Sequence, residues 1–148
     1  MDVPADETPF IALIDDCLHS ARLLMRTLQA QGAPDVRHFG TASAGETALA
    51  DMLSSATLTW PDMVVVDLKS HSQANLDFIG RNQALLRQRG IPIAVMTQPT
   101  GRAGRQILHE AGVSAVFFRQ PERAAYRQEA AALVHFWARS PRLDTVGM

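Results

Sequence analysis

Short, unbroken apolar runs recur along this chain, and each of the four strongest stops at a polar residue. Phe10–Ile14 stops at Asp15-Asp16, Val64–Val66 at Asp67, Ile93–Met96 at Thr97, and Ala115–Phe118 at Arg119. A weaker run, Val36–Phe39, lies between the first two. Continuous apolar runs, as opposed to alternating ones, suit strands that are covered on both faces. Amphipathic stretches fill the intervals. Leu18, Ala21, Met25 and Leu28 form one stripe, stopped by Gly32. Ala48, Leu49 and Met52 form a second, with Ser43 as a candidate cap. Leu76, Ile79 and Leu86 form a third, stopped by Gly90 and Pro92. Ile107, Leu108 and Ala111 form a fourth, stopped by Gly112. The fifth, Tyr126, Ala130, Leu133, Val134 and Trp137, follows helical spacing most closely. Five strands, each followed by a helix, imply a parallel sheet with helices on both faces.

The chain has 148 residues and a formal net charge of −1. That length predicts one domain with a core of its own, expected over residues 9–139, with tails at 1–8 and 140–148. The charge balance argues against a strongly basic nucleic-acid binder. Cys17 is the single cysteine, so neither an internal disulfide nor a cysteine-built zinc site is available. No run approaches the roughly 20 apolar residues of a membrane span. The acidic N-terminus lacks the basic start of a signal peptide, which predicts a cytoplasmic protein.

Ligands of open parallel sheets bind beyond the carboxyl ends of the strands. Asp15, Asp16, Asp67, Thr97 and Arg119 all stand where apolar runs stop. Three carboxylates on one edge repel one another unless a cation joins them, and hard oxygen ligands suit Mg²⁺. A carboxylate oxygen left free by the metal could attack a phosphoryl group. A hydroxyl and a guanidinium beside it could hold that group. Helix capping is the competing reading, because Asp-Asp before a helix is also good N-cap chemistry.

The ordered set resembles the receiver domain of bacterial response regulators, over roughly Phe10 to Trp137. Ile-Ala-Leu-Ile-Asp15-Asp16 resembles the family's first strand and acidic pair, Val-Val-Val-Asp67 its phosphoacceptor strand, and Val-Met-Thr97 the strand of its switch hydroxyl. Arg119 falls where the family carries a lysine, and Glu110-Ala-Gly112 resembles the turn before its fifth strand. Thr97 lies 30 residues after Asp67, and Arg119 lies 22 after Thr97, as in the family. The expected fold is a flavodoxin-like, doubly wound five-stranded parallel sheet in the order 2-1-3-4-5. Helices one and five should lie on one face and helices two, three and four on the other.

The resemblance implies a stand-alone module of two-component phosphorelay signalling, not an enzyme. Asp67 would accept a phosphoryl group from a histidine kinase or phosphotransfer protein. Asp16 would ligate Mg²⁺ directly, Asp15 partly through water, and Asp67 and the backbone carbonyl of Lys69 would complete the protein ligands. Thr97 and Arg119 would hold the phosphoryl oxygens. Output would pass to a downstream protein, with helix four, strand five and helix five as the exchange surface or a homodimer contact, and with no direct contact to nucleic acid or membrane.

The sequence also departs from the family. Arg replaces Lys at 119, with Gln120 taking the lysine place if the alignment slips by one. His71 and Asn75 stand where the family has Pro and Gly, and Gln98 where it has a small residue. Val116 stands where it has a switching aromatic, and the loop through Trp60-Pro61 is longer. These departures support a second reading, a phosphorylation-independent interaction module. Phosphatase and flavin alternatives lack their residues: Lys69 stands where a dehalogenase-type phosphatase needs a second Asp, and no Ser/Thr/Gly-rich loop follows the first strand. Cys17 is expected to be a small buried thiol. His19, His38, His71, His109 and His135 show no metal-binding spacing; apart from His71, beside Asp67, they are expected at the surface or helix edges. Trp60 is expected to pack over the long loop, and Arg102 and Arg105 to be solvated.

Overall fold

A computed structural model describes residues 9–55, 57–69 and 73–140. Ten elements alternate along the chain: β1 (Phe10–Ile14), α1 (Leu18–Ala30), β2 (Asp35–Gly40), α2 (Ala42–Leu53), β3 (Met63–Leu68), α3 (Gln73–Gln88), β4 (Ile93–Thr97), α4 (Arg102–Glu110), β5 (Ala115–Phe118) and α5 (Arg123–Ala138). The strands form one parallel sheet in the order β2-β1-β3-β4-β5. His71 and both expected tails, apart from Ser140, lie outside the described residues.

The apolar runs became strands because both faces of the sheet are covered. All five residues of β1 are inaccessible to solvent. Its alternate residues serve different layers. Phe10, Ala12 and Ile14 pack with β3 residues Val64 and Val66 against α2, α3 and α4. Ile11 and Leu13 pack with Met63 and Val65 against α1 and α5. Burying each large aliphatic side chain contributes about 1.5–3 kcal/mol, so the three central strands dominate the core.

The helix boundaries follow local chemistry. At α2 the cap is Thr41, whose hydroxyl accepts the Ala44 N–H at 3.2 Å; Ser43, the expected cap, lies inside the first turn. Gly112 ends α4 at φ +108°, and a Cβ there would lie 2.7 Å from Gln83, so both backbone and space require glycine. The stripe of α1 is rotated from the expected one: Leu24 is buried with Ala21 and Leu28, while Leu18 is exposed. Ile107 of α4 is likewise 61% exposed, and Leu108 alone of that helix is buried. On α5, Tyr126, Ala130, Leu133 and Val134 are buried as the periodicity requires.

Each outer strand carries a polar side-chain feature. On β2, Arg37 pairs with Asp35 at 2.9 Å and lies over the Phe10 ring. On β5, the Phe118 N–H donates to the Glu129 carboxylate of α5 at 2.8 Å.

Candidate functional site

The sheet register gathers the strand-end residues on one edge. β1 and β2 pair regularly up to Leu13, and the register then shifts so that Ile14 faces Gly40. Beyond this irregularity the Asp15 N–H donates to the Gly40 carbonyl at 3.0 Å. The Asp15 carbonyl meets His38 Nε2 at 2.6 Å. Asp15 is thus fixed by its backbone before its side chain acts. Asp67 lies within β3, opposite Met96, and Thr97 comes one step later opposite Leu68. The Arg119 N–H donates to the Thr97 carbonyl at 2.6 Å, which sets Arg119 beside the end of β4.

The carboxylates are unequal. Asp15 and Asp67 are completely buried, whereas the Asp16 side chain is 57% exposed at the rim. Asp15 Oδ1 accepts from the Cys17 N–H at 2.9 Å and Oδ2 accepts from Ser20 Oγ at 2.6 Å. It therefore ties down the first turn of α1, whose N-cap Cys17 supplies no side-chain cap. Capping and site assembly, which the sequence presented as alternatives, coincide in this residue.

The centre of the cluster is cationic. Lys69 Nζ donates to Asp15 Oδ1 at 2.8 Å and to Asp67 Oδ2 at 2.5 Å, and lies 3.9 Å from Asp16 Oδ1. Arg119 donates to the other oxygen of Asp67, Oδ1, so that it is Arg119 and not Gln120 that reaches this carboxylate. Burial pulls the Lys69 ammonium downward, but its hydrogen bonds to Asp15 and Asp67 outweigh this and raise its pKa above the ordinary lysine value. For Asp15, burial is opposed by Lys69, Ser20 and the Cys17 N–H, which together hold the carboxyl below the usual range. Burial dominates at Asp67 and pushes its pKa up to about 6, despite Lys69 and Arg119.

The donor set is of the kind a hard divalent ion takes, yet in this arrangement it does not fit one. Among the described residues, no three acidic, His or Cys side chains converge as a metal-ligand group. The space between Asp15 and Asp67 holds the Lys69 ammonium, and both Asp67 oxygens already accept from cations. The sequence expectation for Lys69 concerned its carbonyl; the structure brings its side chain into the site.

Three further residues support the cluster without having been singled out for it. Ser20 fixes Asp15. Buried Asn75 donates to the Asp67 carbonyl at 2.7 Å and ties the start of α3 to β3. His38, expected at the surface, sits half-buried on β2 against Asp15. The available signal for Lys69 was its spacing: it stands two residues after Asp67, just past the end of β3, and residues two apart in extended chain point to one side. Of the other residues, Cys17 is half-buried, while His19, His109, His135, Arg102 and Arg105 are exposed. Trp60 packs beside α2 and donates to the Met52 carbonyl at 2.9 Å.

The sequence matches no protein-family model and no curated protein. Solved structures do match. Phosphorylated RcpA, a cyanobacterial phytochrome response regulator, superposes with a TM-score of 0.72 at 16% identity, over 89% of this chain and 95% of its own. The fold is that of response-regulator receiver domains. The Mn²⁺-bound form of response regulator Rcp1 superposes at 0.68 with 15% identity, over 89% of this chain and 96% of that one. A response-regulator receiver domain from Rhodospirillum rubrum gives 0.69 at 18% identity, over 87% and 93%. Receiver domains thus align with most of this chain. No helix among the described residues is long and apolar enough to cross a membrane.

Proposed function

We propose that this chain is a receiver-type signalling module, not an enzyme, in which Asp67 accepts a phosphoryl group from the phosphohistidine of a histidine kinase or phosphotransfer protein. The observation that carries this reading is a buried carboxylate at the sheet edge, flanked by Lys69 and Arg119. Its pKa near 6 leaves it ionised at neutral pH. One Asp67 oxygen would bond to phosphorus as the phosphorus–nitrogen bond breaks, with the electron pair returning to the donor imidazole. Arg119, Lys69 and the Thr97 hydroxyl are the groups of this chain that would meet the added negative charge. The domain would span residues 9–139, with residues 1–8 and 140–148 as tails. In this reading the module works in the cytoplasm, and Mg²⁺ is at most a weakly held ligand near Asp15, Asp16, Asp67 and the Lys69 carbonyl.

Output would pass to a downstream protein through the face of α4, β5 and α5, where Ile107 is exposed; that face would also serve any homodimer. Val116 offers no large ring to swing, so the conformational response should be small: a ligand shifts a two-state equilibrium only through contacts that differ between the states. Intact-mass spectrometry after acetyl phosphate treatment should show slow addition of one phosphoryl group, abolished in Asp67→Asn. Beryllofluoride should produce modest chemical-shift changes around Val116 and α4.

A second reading has its own observation. Both Asp67 oxygens already accept from cations of the same chain, as befits a phosphorylation-independent interaction module. Absence of labelling by every donor, a cognate kinase included, would establish it over the first.

A further inference from the structure

We propose that the Lys69 ammonium serves as a tethered cation in the place of a divalent ion, holding Asp15 and Asp67 together without metal, so that an ion enters only by displacing it. The inference concerns the resting site and does not rest on Asp67 being phosphorylated.

The geometry carries it. Nζ lies within 2.8 Å of Asp15 Oδ1 and 2.5 Å of Asp67 Oδ2, bridging two fully buried carboxylates from different strands. It also lies 3.9 Å from Asp16, the third acidic side chain. One group therefore bonds two of the carboxylates and lies at ion-pair distance from the third. The remaining oxygens are committed as well: Asp15 Oδ2 to Ser20, and Asp67 Oδ1 to Arg119. Three negative charges thus meet two positive ones from within the chain, and little attraction is left for a free ion. The Lys69 side chain is 34% exposed, so it has a route outward without unfolding. A tethered ammonium also needs no ion concentration to stay bound, since the chain itself supplies its local concentration.

The test uses the whole protein and Mn²⁺ or Mg²⁺ alone. Paramagnetic Mn²⁺ should leave the Asp15 and Asp67 amide signals of the wild type sharp at concentrations that broaden them in Lys69→Met. Removing one charge at contact distance should tighten ion binding at least about tenfold. Mg²⁺ should raise the melting temperature of Lys69→Met, which buries two facing carboxylates, and leave that of the wild type unmoved. Should Lys69→Met fail to fold, Lys69→Gln removes the charge but keeps an N–H donor for the buried carboxylates, and the same contrast is expected. Equal affinity in wild type and variant overturns the proposal. So does saturable broadening of Asp15 and Asp67 in the wild type at the same Mn²⁺ concentrations that broaden them in the variant. Wild-type signals that stay sharp while the variant's broaden, with melting raised by Mg²⁺ only in the variant, support it.

Discussion

Glu46 and Asp67 each carry an arginine on the carboxylate, one on the outer surface between α2 and α3, the other at the end of the sheet. Arg81 grips Glu46 with two donors, at 2.9 and 3.2 Å, and Asn82 adds a third bond at 3.2 Å. The Arg81 hydrogen bond, aided by Asn82, outweighs a small desolvation effect and holds the Glu46 carboxyl below its usual value. Asp67 has two cationic partners, yet its carboxyl is pushed up to about 6 because it is wholly buried. Pairing of the same kind therefore has opposite outcomes. At the surface the partners decide the sign; at Asp67 the loss of water decides it, whereas at equally buried Asp15 the bonds from Lys69, Ser20 and the Cys17 N–H prevail. Salt bridges at the surface contribute little to stability, whereas the buried cluster is where changes should be felt.

The largest effect should come from Asp15→Ala. It removes the partner shared by Lys69, Ser20 and the Cys17 N–H, and stripping one side of a buried ion pair costs about 3–5 kcal/mol. Urea unfolding at neutral pH would measure it, and a loss within experimental error would put Asp15 in the same class as Glu46.

A smaller, pH-dependent effect should separate the wild type from Asp67→Asn. A folded-state pKa raised from 3.8 to about 6 favours the fold while the group is protonated. That contribution is present below about pH 4 and is lost as pH rises through about 6. Wild type should therefore weaken against Asp67→Asn by about 2–3 kcal/mol between pH 4 and pH 7. Parallel urea titrations across this range check it, and a constant difference would mean that burial does not control Asp67.

Much of this architecture was readable before any coordinates. Covering a sheet on both faces demands unbroken apolar runs, so the strands and the edge holding Asp15, Asp67, Thr97 and Arg119 followed from pattern, while the strand order came from the resemblance to receiver domains. The centre of the site was harder to read. Lys69 is an unremarkable surface-type residue until the chain brings Asp15 across from β1. Asn75 and Ser20 act through hydrogen bonds that no spacing rule marks. Leu18 misled for a related reason: a helical stripe allows a neighbouring rotation, and only packing chose Leu24 over it.

The smallest expected effect is at the surface pair. Glu46→Gln should leave the melting curve at neutral pH unchanged within error, because the pair is solvated and screened by salt. Since the Glu46 pKa is lowered, its contribution is present above about pH 4.5 and fades as pH falls below it. A marked loss of stability on Glu46→Gln at high salt would dissolve the distinction between the two regions.

The guarded outer strands bear on how copies of this protein can meet. An exposed sheet edge is a template on which a second chain can add a strand and start an aggregate. Here Glu129 caps the outward-facing Phe118 donor of β5, and the Asp35–Arg37 pair dresses β2 with charge. A neighbour adding a strand to β5 would have to break the Glu129 bond first. Both features weigh against backbone pairing between copies, which would propagate into insoluble assemblies, and leave the helix surfaces, where contacts are made by side chains and can be undone.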